Sequence, residues 1–261
     1  MRIAVIGGTG VYDSSFMDSQ EKLEVETPYG PISLLKGRRG KNEIFFLERH
    51  SAGHKLTPSR VNYKGNITAL KQLKMDYIIA TAAVGGIQNC NVGDFVIVDQ
   101  FMDFTKNRSY TFYDGDRDGV VHIDMSEPYC PTIRKMLIDA FSACNAPIIP
   151  KGTYVCTEGP RFETPAEIKA FKLLGGDVVG MTNVPEVILA RESELCYAAV
   201  ALVTNFAAGI SKNALTHKEV SENMKCMSGK LNEALKYLID NASCDKRCSC
   251  GAALGEINTL K

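Results

Sequence analysis

Apolar residues along this chain follow two different rhythms. Short, nearly continuous apolar runs at 2–6, 43–47, 77–81, 95–99, 178–181 and 198–204 are bounded by Gly, Asp or Asn, the pattern of buried strands. Between them, segments 58–74, 131–143, 164–174, 185–196 and 216–241 repeat apolar positions at three- and four-residue spacing. Several carry Pro in the first turn or Ser/Thr just ahead of it, which predicts helices. Strands alternating with helices make this an α/β chain. The polar run 106–118, KNRSYTFYDGDRD, reads as a long surface loop suited to meeting another subunit. No internal repeat, low-complexity segment or Pro/Gly/Ser-rich linker interrupts the pattern, so one domain is favoured over two small ones.

Composition narrows the class. With 261 residues, 45% hydrophobic and 23% charged, the chain has the make-up of an ordinary globular protein able to bury a large core. Its 30 Lys+Arg balance 30 Asp+Glu. A general nucleic-acid binder needs a basic excess to replace counterions, so that class is excluded, and any bound anion must be met by a few placed groups. The apolar stretches 77–87 and 195–210 fall short of the ~20 residues of a membrane span. The start MRIAVIGGTG is too short for a signal-peptide core, which points to the cytoplasm. Nine cysteines are scattered along the chain, and most, such as Cys156 and Cys196, sit in apolar contexts as core thiols. Cys244, Cys248 and Cys250 lie instead in a polar tail, CDKRCSCG. A structural or adventitious role is expected there, with a disulfide as the alternative. Three thiols without a nearby His make a poor zinc set.

The chemistry concentrates at strand ends, where α/β folds place functional groups. The first strand runs into GGTG at 7–10, a turn whose amides and Thr9 hydroxyl suit an anion. A dinucleotide fingerprint fails there, because the third glycine position is Asp13, and no Walker lysine follows. Arg49 and His50 follow the run 43–47, and His54 lies four residues on. An Arg at this place can clamp a phosphate in bidentate fashion. Ala82 to Gly86 form a small-residue turn after the run 77–81, and Gly180-Met181-Thr182 follows Val178-Val179.

Taken in order, GGTG at 7–10, RH at 49–50, GH at 53–54, PSRVNYKGN at 58–66, AVGG at 83–86, EGPRFET at 158–164, DVVGMTNVPEVILARE at 177–192 and TNFAAG at 204–209 resemble the trimeric purine nucleoside phosphorylase and methylthioadenosine phosphorylase family. The resemblance covers residues 1 to about 240, giving a domain at 1–241 and a tail at 242–261 with the Cys-x-Cys pair. It implies a single-domain α/β fold whose central mixed sheet, a distorted barrel, is flanked by helices. It also implies a salvage reaction: phosphorolysis of a purine nucleoside to free base and ribose 1-phosphate. Inorganic phosphate would be co-substrate, with no metal or organic cofactor, and the assembly a homotrimer or a dimer of trimers.

Carried over residue by residue, the resemblance implies a phosphate site of Thr9, Arg49, His50, the Ala83 amide and Thr182. Ala82 departs from the family's Thr or Asn and removes a donor. Met181 would pack on the ribose and Phe162 would wall the base pocket, while Glu163 and Asn205 would read the purine. Asn205 and His50 carry the catalytic roles. Glu and Asn at the last two positions resemble the 6-oxopurine branch, where an amide serves O6 and N7 and a carboxylate accepts from N1–H. His217 would lie near a 5′-hydroxyl, His54 matches a residue of the methylthio pocket, and His122 would reach a neighbouring subunit's site. The alternatives are a methylthioinosine or methylthioadenosine phosphorylase, and, from another class, a non-catalytic nucleoside- or phosphate-binding regulator.

Overall fold

In the computed structural model, which describes residues 1–7, 16–50, 56–115, 119–211, 217–243, 245 and 247–255 (without the side chains of 217–219), strands and helices alternate. The first half of the chain holds β1 (Arg2–Gly7), β2 (Ser19–Val25), β3 (Ile32–Arg39), β4 (Asn42–Glu48), α1 (Tyr63–Gln72), β5 (Tyr77–Gly86), β6 (Phe95–Ile97) and β7 (Gln100–Phe104). The second half holds α2 (Pro131–Ala143), β8 (Ile148–Ile149), β9 (Thr153–Thr157), α3 (Pro165–Leu173), β10 (Val178–Gly180), α4 (Asn183–Glu192), β11 (Tyr197–Phe206) and α5 (His217–Asn241).

The strands join in one mixed sheet ordered β2-β3-β4-β1-β5-β10-β9-β7, which branches at β5. As far as Ala80, one edge of β5 pairs in parallel with β1; its last residues, Gly85 and Gly86, pair antiparallel with β10. The opposite edge of β5 pairs with β11, which leads on through β6 to β8. Side-chain alternation in β1 shows why the central strands are apolar throughout. Ile3 and Val5 face a core shared with Leu137 of α2 and Leu231 and Leu235 of α5. Ala4 and Ile6 face a second core with Ile67 and Leu70 of α1 and Val187 and Leu189 of α4. A strand covered on both faces has no polar phase to show. Among the described residues no helix is long and apolar enough to cross a membrane.

Three expectations are corrected. Residues 82–86 are not a turn but the second half of β5. Their small side chains are a packing requirement: a Cβ on Gly85 would stand 3.3 Å from Ala207 Cα, Asn205 Nδ2 and Val179 Cγ1, because β5, β10 and β11 converge there. Strands β2, β3, β7, β8 and β9 escape the apolar pattern. β2 is the clearest case, a largely exposed charged edge strand, SQEKLEV, whose pairing rests on backbone bonds and whose charges discourage further strand addition. Finally, the polar run 106–118 is not wholly a surface loop, since Arg108 is buried and Phe112 packs against the second core.

Helix boundaries follow local chemistry. The segment expected at 58–74 divides into a 3-10 turn, Pro58–Arg60, and α1, with the Asn62 side chain accepting from Gly65 N–H at 3.0 Å as the N-cap. α3 opens with a reciprocal capping box: Glu167 N–H donates to Thr164 Oγ1 at 3.2 Å, and Thr164 N–H donates to Glu167 Oε2 at 2.7 Å. That box sets where the chain leaves the loop bearing Phe162 and Glu163.

Candidate active site

Segments at and beyond the C-terminal ends of β4, β5, β9, β10 and β11 converge on a cavity of about 370 Å³, the place where α/β sheets bind ligands. The volume falls in the range of small-molecule sites, roughly 300–1,000 Å³. Its floor is Ala82 to Gly85 of β5; its walls are Val179 to Thr182, Thr204, Asn205 and Ala207, Pro160, Phe162 and Glu163, and His50 with residues 56–58. Among the described lining residues only His50 and Glu163 carry an imidazole or a carboxyl group.

Asn205 is aimed by a flaw in the sheet. The register of β11 on β5 shifts between Val203 and Asn205, leaving Thr204 as an extra residue. Such bulges re-aim the side chains that follow them. Asn223 of α5 donates to the Thr204 carbonyl at 2.6 Å and holds the bulge. Thr204 Oγ1 donates to Asn205 Oδ1 at 2.9 Å, and Asn205 Nδ2 donates to Phe206 O at 2.9 Å. These contacts assign the amide's orientation. They leave one N–H and one oxygen lone-pair site of the Asn205 side chain for a ligand.

Glu163 faces the same cavity from the β9–α3 loop. Thr157 Oγ1 donates to its Oε1 at 2.6 Å. Burial pushes the Glu163 pKa above its ordinary value, and the Thr157 hydrogen bond only partly offsets that. In its ionised form the group is a poorly solvated carboxylate that gains from a donor. Across the cavity, His50 Nδ1 donates to the Leu56 carbonyl at 2.9 Å, so the neutral ring carries its proton on Nδ1 and Nε2 is the acceptor.

Arg49 behaves differently from expectation. It lies behind the cavity wall, almost wholly buried, with Nε donating to Glu186 Oε2 at 2.6 Å and Nη2 to Glu186 Oε1 at 2.8 Å. Nη1 donates to the Thr81 carbonyl at 2.8 Å, and Tyr197 hydroxyl donates to Glu186 Oε1 at 2.8 Å. Burial alone would lower the Arg49 pKa, but the charge and hydrogen bonds of Glu186 outweigh it and raise the value. The Nε–Nη2 edge, one of those by which an Arg can clamp an anion in bidentate fashion, is therefore taken by a carboxylate of the same chain. A buried guanidinium without such a partner would carry its full desolvation cost. One N–H on each Nη remains for an anion.

The fold brings His50, Ala83, Phe162, Glu163, Met181, Thr182 and Asn205 to one cavity. Ala82 lines it too, without a side-chain donor. His122 is exposed and lines no part of its own chain's cavity. Thr9 and His54 lie outside the described residues, as does the side chain of His217, although Val220, three residues on in α5, reaches the cavity.

Arg108 had no signal in its polar surroundings. Its Nη1 donates to the carbonyls of Met181 at 2.7 Å and Val184 at 2.6 Å, and its Nη2 to that of Glu158 at 2.8 Å. It ties the Met181–Thr182 wall to the segment leading into Glu163. Gly159 adds a steric condition at this junction. Its φ is +66°, and a Cβ there would stand 2.6 Å from Met181 Sδ.

Comparison with known proteins agrees with this geometry. Residues 2–240 match the sequence profile of the family described as Phosphorylase superfamily. The "Probable 6-oxopurine nucleoside phosphorylase" of Dictyoglomus turgidum is 54% identical over 257 residues, 98% of this chain and 97% of that protein. The "6-oxopurine nucleoside phosphorylase" of Pyrococcus furiosus is 51% identical over 259 residues, 97% of each. Among solved structures, methylthioadenosine phosphorylase from Schistosoma mansoni in complex with adenine superposes with a TM-score of 0.88 at 35% identity, covering 92% of this chain and 91% of that one.

Glu186→Ala leaves Arg49 as an uncompensated buried charge, so stability should fall by about 3–5 kcal/mol in urea unfolding. Replacing both partners, Arg49→Met with Glu186→Leu, should recover part of that loss, because no charge is then stranded.

Proposed function

The chain belongs to the phosphorylase superfamily, and from that premise we propose that it is a purine nucleoside phosphorylase that splits the glycosidic bond of 6-oxopurine nucleosides, inosine and guanosine, with inorganic phosphate. The observation that carries this reading is the pairing of a buried Glu163 with an oriented Asn205 amide in one cavity. The carboxylate accepts from the purine N1–H and, in guanine, from the 2-amino group. The amide meets O6 and N7. Adenine offers no N1–H to Glu163, and a buried polar group left unpaired costs about 1–3 kcal/mol. The names of relatives 51–54% identical over nearly the whole chain support the same base class.

Phosphate occupies the corner of the cavity bounded by His50, Ala83 and Thr182, with the Thr9 hydroxyl as a further donor. Strand geometry supports the Ala83 amide. Backbone groups alternate along a strand, so Ala83 N–H lies on the edge of β5 that offers the Thr81 carbonyl to Arg49. Among the described residues no strand pairs with that edge between Ala80, the last partner of β1, and Gly85, the first partner of β10. His50 Nε2 accepts from a phosphate hydroxyl, while Arg49 shapes the corner and offers its outer N–H groups. Met181 packs on the ribose and Phe162 on the base. His217 serves the 5′-hydroxyl.

Phosphorolysis then proceeds through an oxocarbenium-like sugar. As the C1′–N9 bond lengthens, the held phosphate stabilises the developing positive charge and attacks C1′, and Asn205 stabilises the negative charge moving onto the purine. No protein nucleophile, metal or organic cofactor takes part. The enzyme works in the cytoplasm as a homotrimer or a dimer of trimers, with exposed His122 and Tyr110 at the neighbouring subunit.

The deciding experiment measures phosphate-dependent base release from inosine, guanosine, adenosine, methylthioinosine and methylthioadenosine side by side. Inosine or guanosine should react fastest; no reaction with any of the five overturns the reading. Asn205→Ala should lower kcat/KM for inosine by about a hundredfold or more in steady-state assays. The raised Glu163 pKa sets a pH window. Protonation removes the acceptor, so kcat/KM for inosine should fall on acidification with a midpoint above the 4.5 of an ordinary glutamate. Glu163→Gln should abolish that limb in a pH–rate profile.

A further inference from the structure

A second cluster of reactive side chains lies outside the cavity. The Sγ atoms of Cys130, Cys196, Cys248 and Cys250 all fall within 4.8 Å of one another, and all four are free thiols. They come from three distant parts of the chain. Cys130 is the N-cap residue of α2, Cys196 immediately precedes β11, and Cys248 and Cys250 follow α5. Backbone bonds hold them together: Cys130 N–H donates to Tyr197 O at 2.8 Å, and Ile78 N–H donates to Cys196 O at 2.9 Å. The tail is tied in by Arg247 N–H to Thr132 Oγ1 at 3.2 Å and by Leu254 N–H to Glu194 Oε1 at 3.4 Å. Most described residues of the tail are exposed, but Cys248 and Cys250 turn inward. Cys130, Cys196 and Cys250 are buried in the core under α2 and α5, and Cys248 packs against it.

We propose that Cys130, Cys196, Cys248 and Cys250 form a tetrathiolate site for zinc, which staples the segment after α5 to the starts of α2 and β11. Four sulfur ligands select a borderline-soft divalent ion over magnesium or calcium. Zinc–sulfur bonds of about 2.3 Å in a tetrahedron put neighbouring sulfurs ~3.8 Å apart. The observed spread, with Cys196 and Cys248 sulfurs 3.6 Å apart and no pair beyond 4.8 Å, accommodates that tetrahedron with small shifts. Two disulfides would require contact only within each pair, whereas one ion requires all four sulfurs to be mutual neighbours. On binding, four S–H bonds give way to four Zn–S bonds, four protons leave to solvent, and nothing is oxidised or reduced. None of the four cysteines lines the cavity, so the ion is a structural staple and takes no part in phosphorolysis.

The test uses the full chain, produced with zinc in the medium and purified in reducing buffer without chelator. Elemental analysis should find one zinc per chain. Anaerobic titration of the metal-free protein with Co²⁺ should give the visible bands of tetrahedral cobalt and thiolate-to-metal charge transfer, saturating at one equivalent. The double variant Cys248→Ser, Cys250→Ser should lose both metal and spectrum while keeping the inosine phosphorolysis rate. Reduced wild-type protein that takes up neither zinc nor cobalt overturns the proposal, as does mass spectrometry showing these cysteines joined as disulfides in metal-free protein from that preparation. Unchanged metal binding in the double variant overturns it as well. The metal-binding readouts do not depend on the identity of the nucleoside.

Discussion

The contact on which the rest of the site depends is the ion pair between Arg49 and Glu186. It joins the end of β4 to α4, takes in the Thr81 carbonyl of β5, and receives the Tyr197 hydroxyl of β11, so four elements share one buried electrostatic junction. Both charges are almost fully removed from water, which makes each intolerable without the other. The pair holds the strand ends at a set separation beside the cavity. It also has a consequence for anion binding. The guanidinium is largely neutralised by its own carboxylate, and no Lys or Arg is among the described residues that line the cavity. In the proposed phosphate site the anion is accordingly assigned to hydrogen bonds from hydroxyls, an imidazole, backbone amides and the outer N–H groups of Arg49. A chain of zero net charge is compatible with that solution.

Around this junction, backbone irregularity and close approach do the positioning. β5 has to serve β1, β10 and β11 at once, which only small residues permit at Gly85 and Gly86. The extra residue at Thr204 turns Asn205 into the space those small residues leave. Arg108, reaching from an irregular segment, fixes the opposite wall mainly through carbonyl groups, with longer contacts to the Glu158 carboxylate and the Tyr63 hydroxyl. The two polar side chains assigned to the base thus sit on different supports, a bulged strand for Asn205 and a capped loop for Glu163. Their separation is set by the sheet and not by either segment alone.

The four-cysteine cluster follows a similar logic at the other end of the sheet. Cys248 and Cys250 in a polar tail are a weak metal set when read along the chain. Cys130 and Cys196 look like ordinary core thiols for the same reason. Only the pairing of the α2 start with β11 and the return of the chain after α5 make them neighbours.

Apolar periodicity by itself determined the α/β class, the central strands and all five long helices, because burial on one or two faces imposes a rhythm that any reader of the sequence meets. The motifs at strand ends likewise marked His50 and Thr182, and the family resemblance marked Glu163 and Asn205. The exposed edge strand β2 left no such rhythm, since backbone pairing needs no apolar side chains. Tertiary structure alone decided that Ala82 to Gly86 continue a strand, that Arg49 faces Glu186, that Arg108 is buried, and that four scattered thiols meet. Each of these depends on which distant group lies opposite, and a linear sequence does not record the partner that desolvation and packing select.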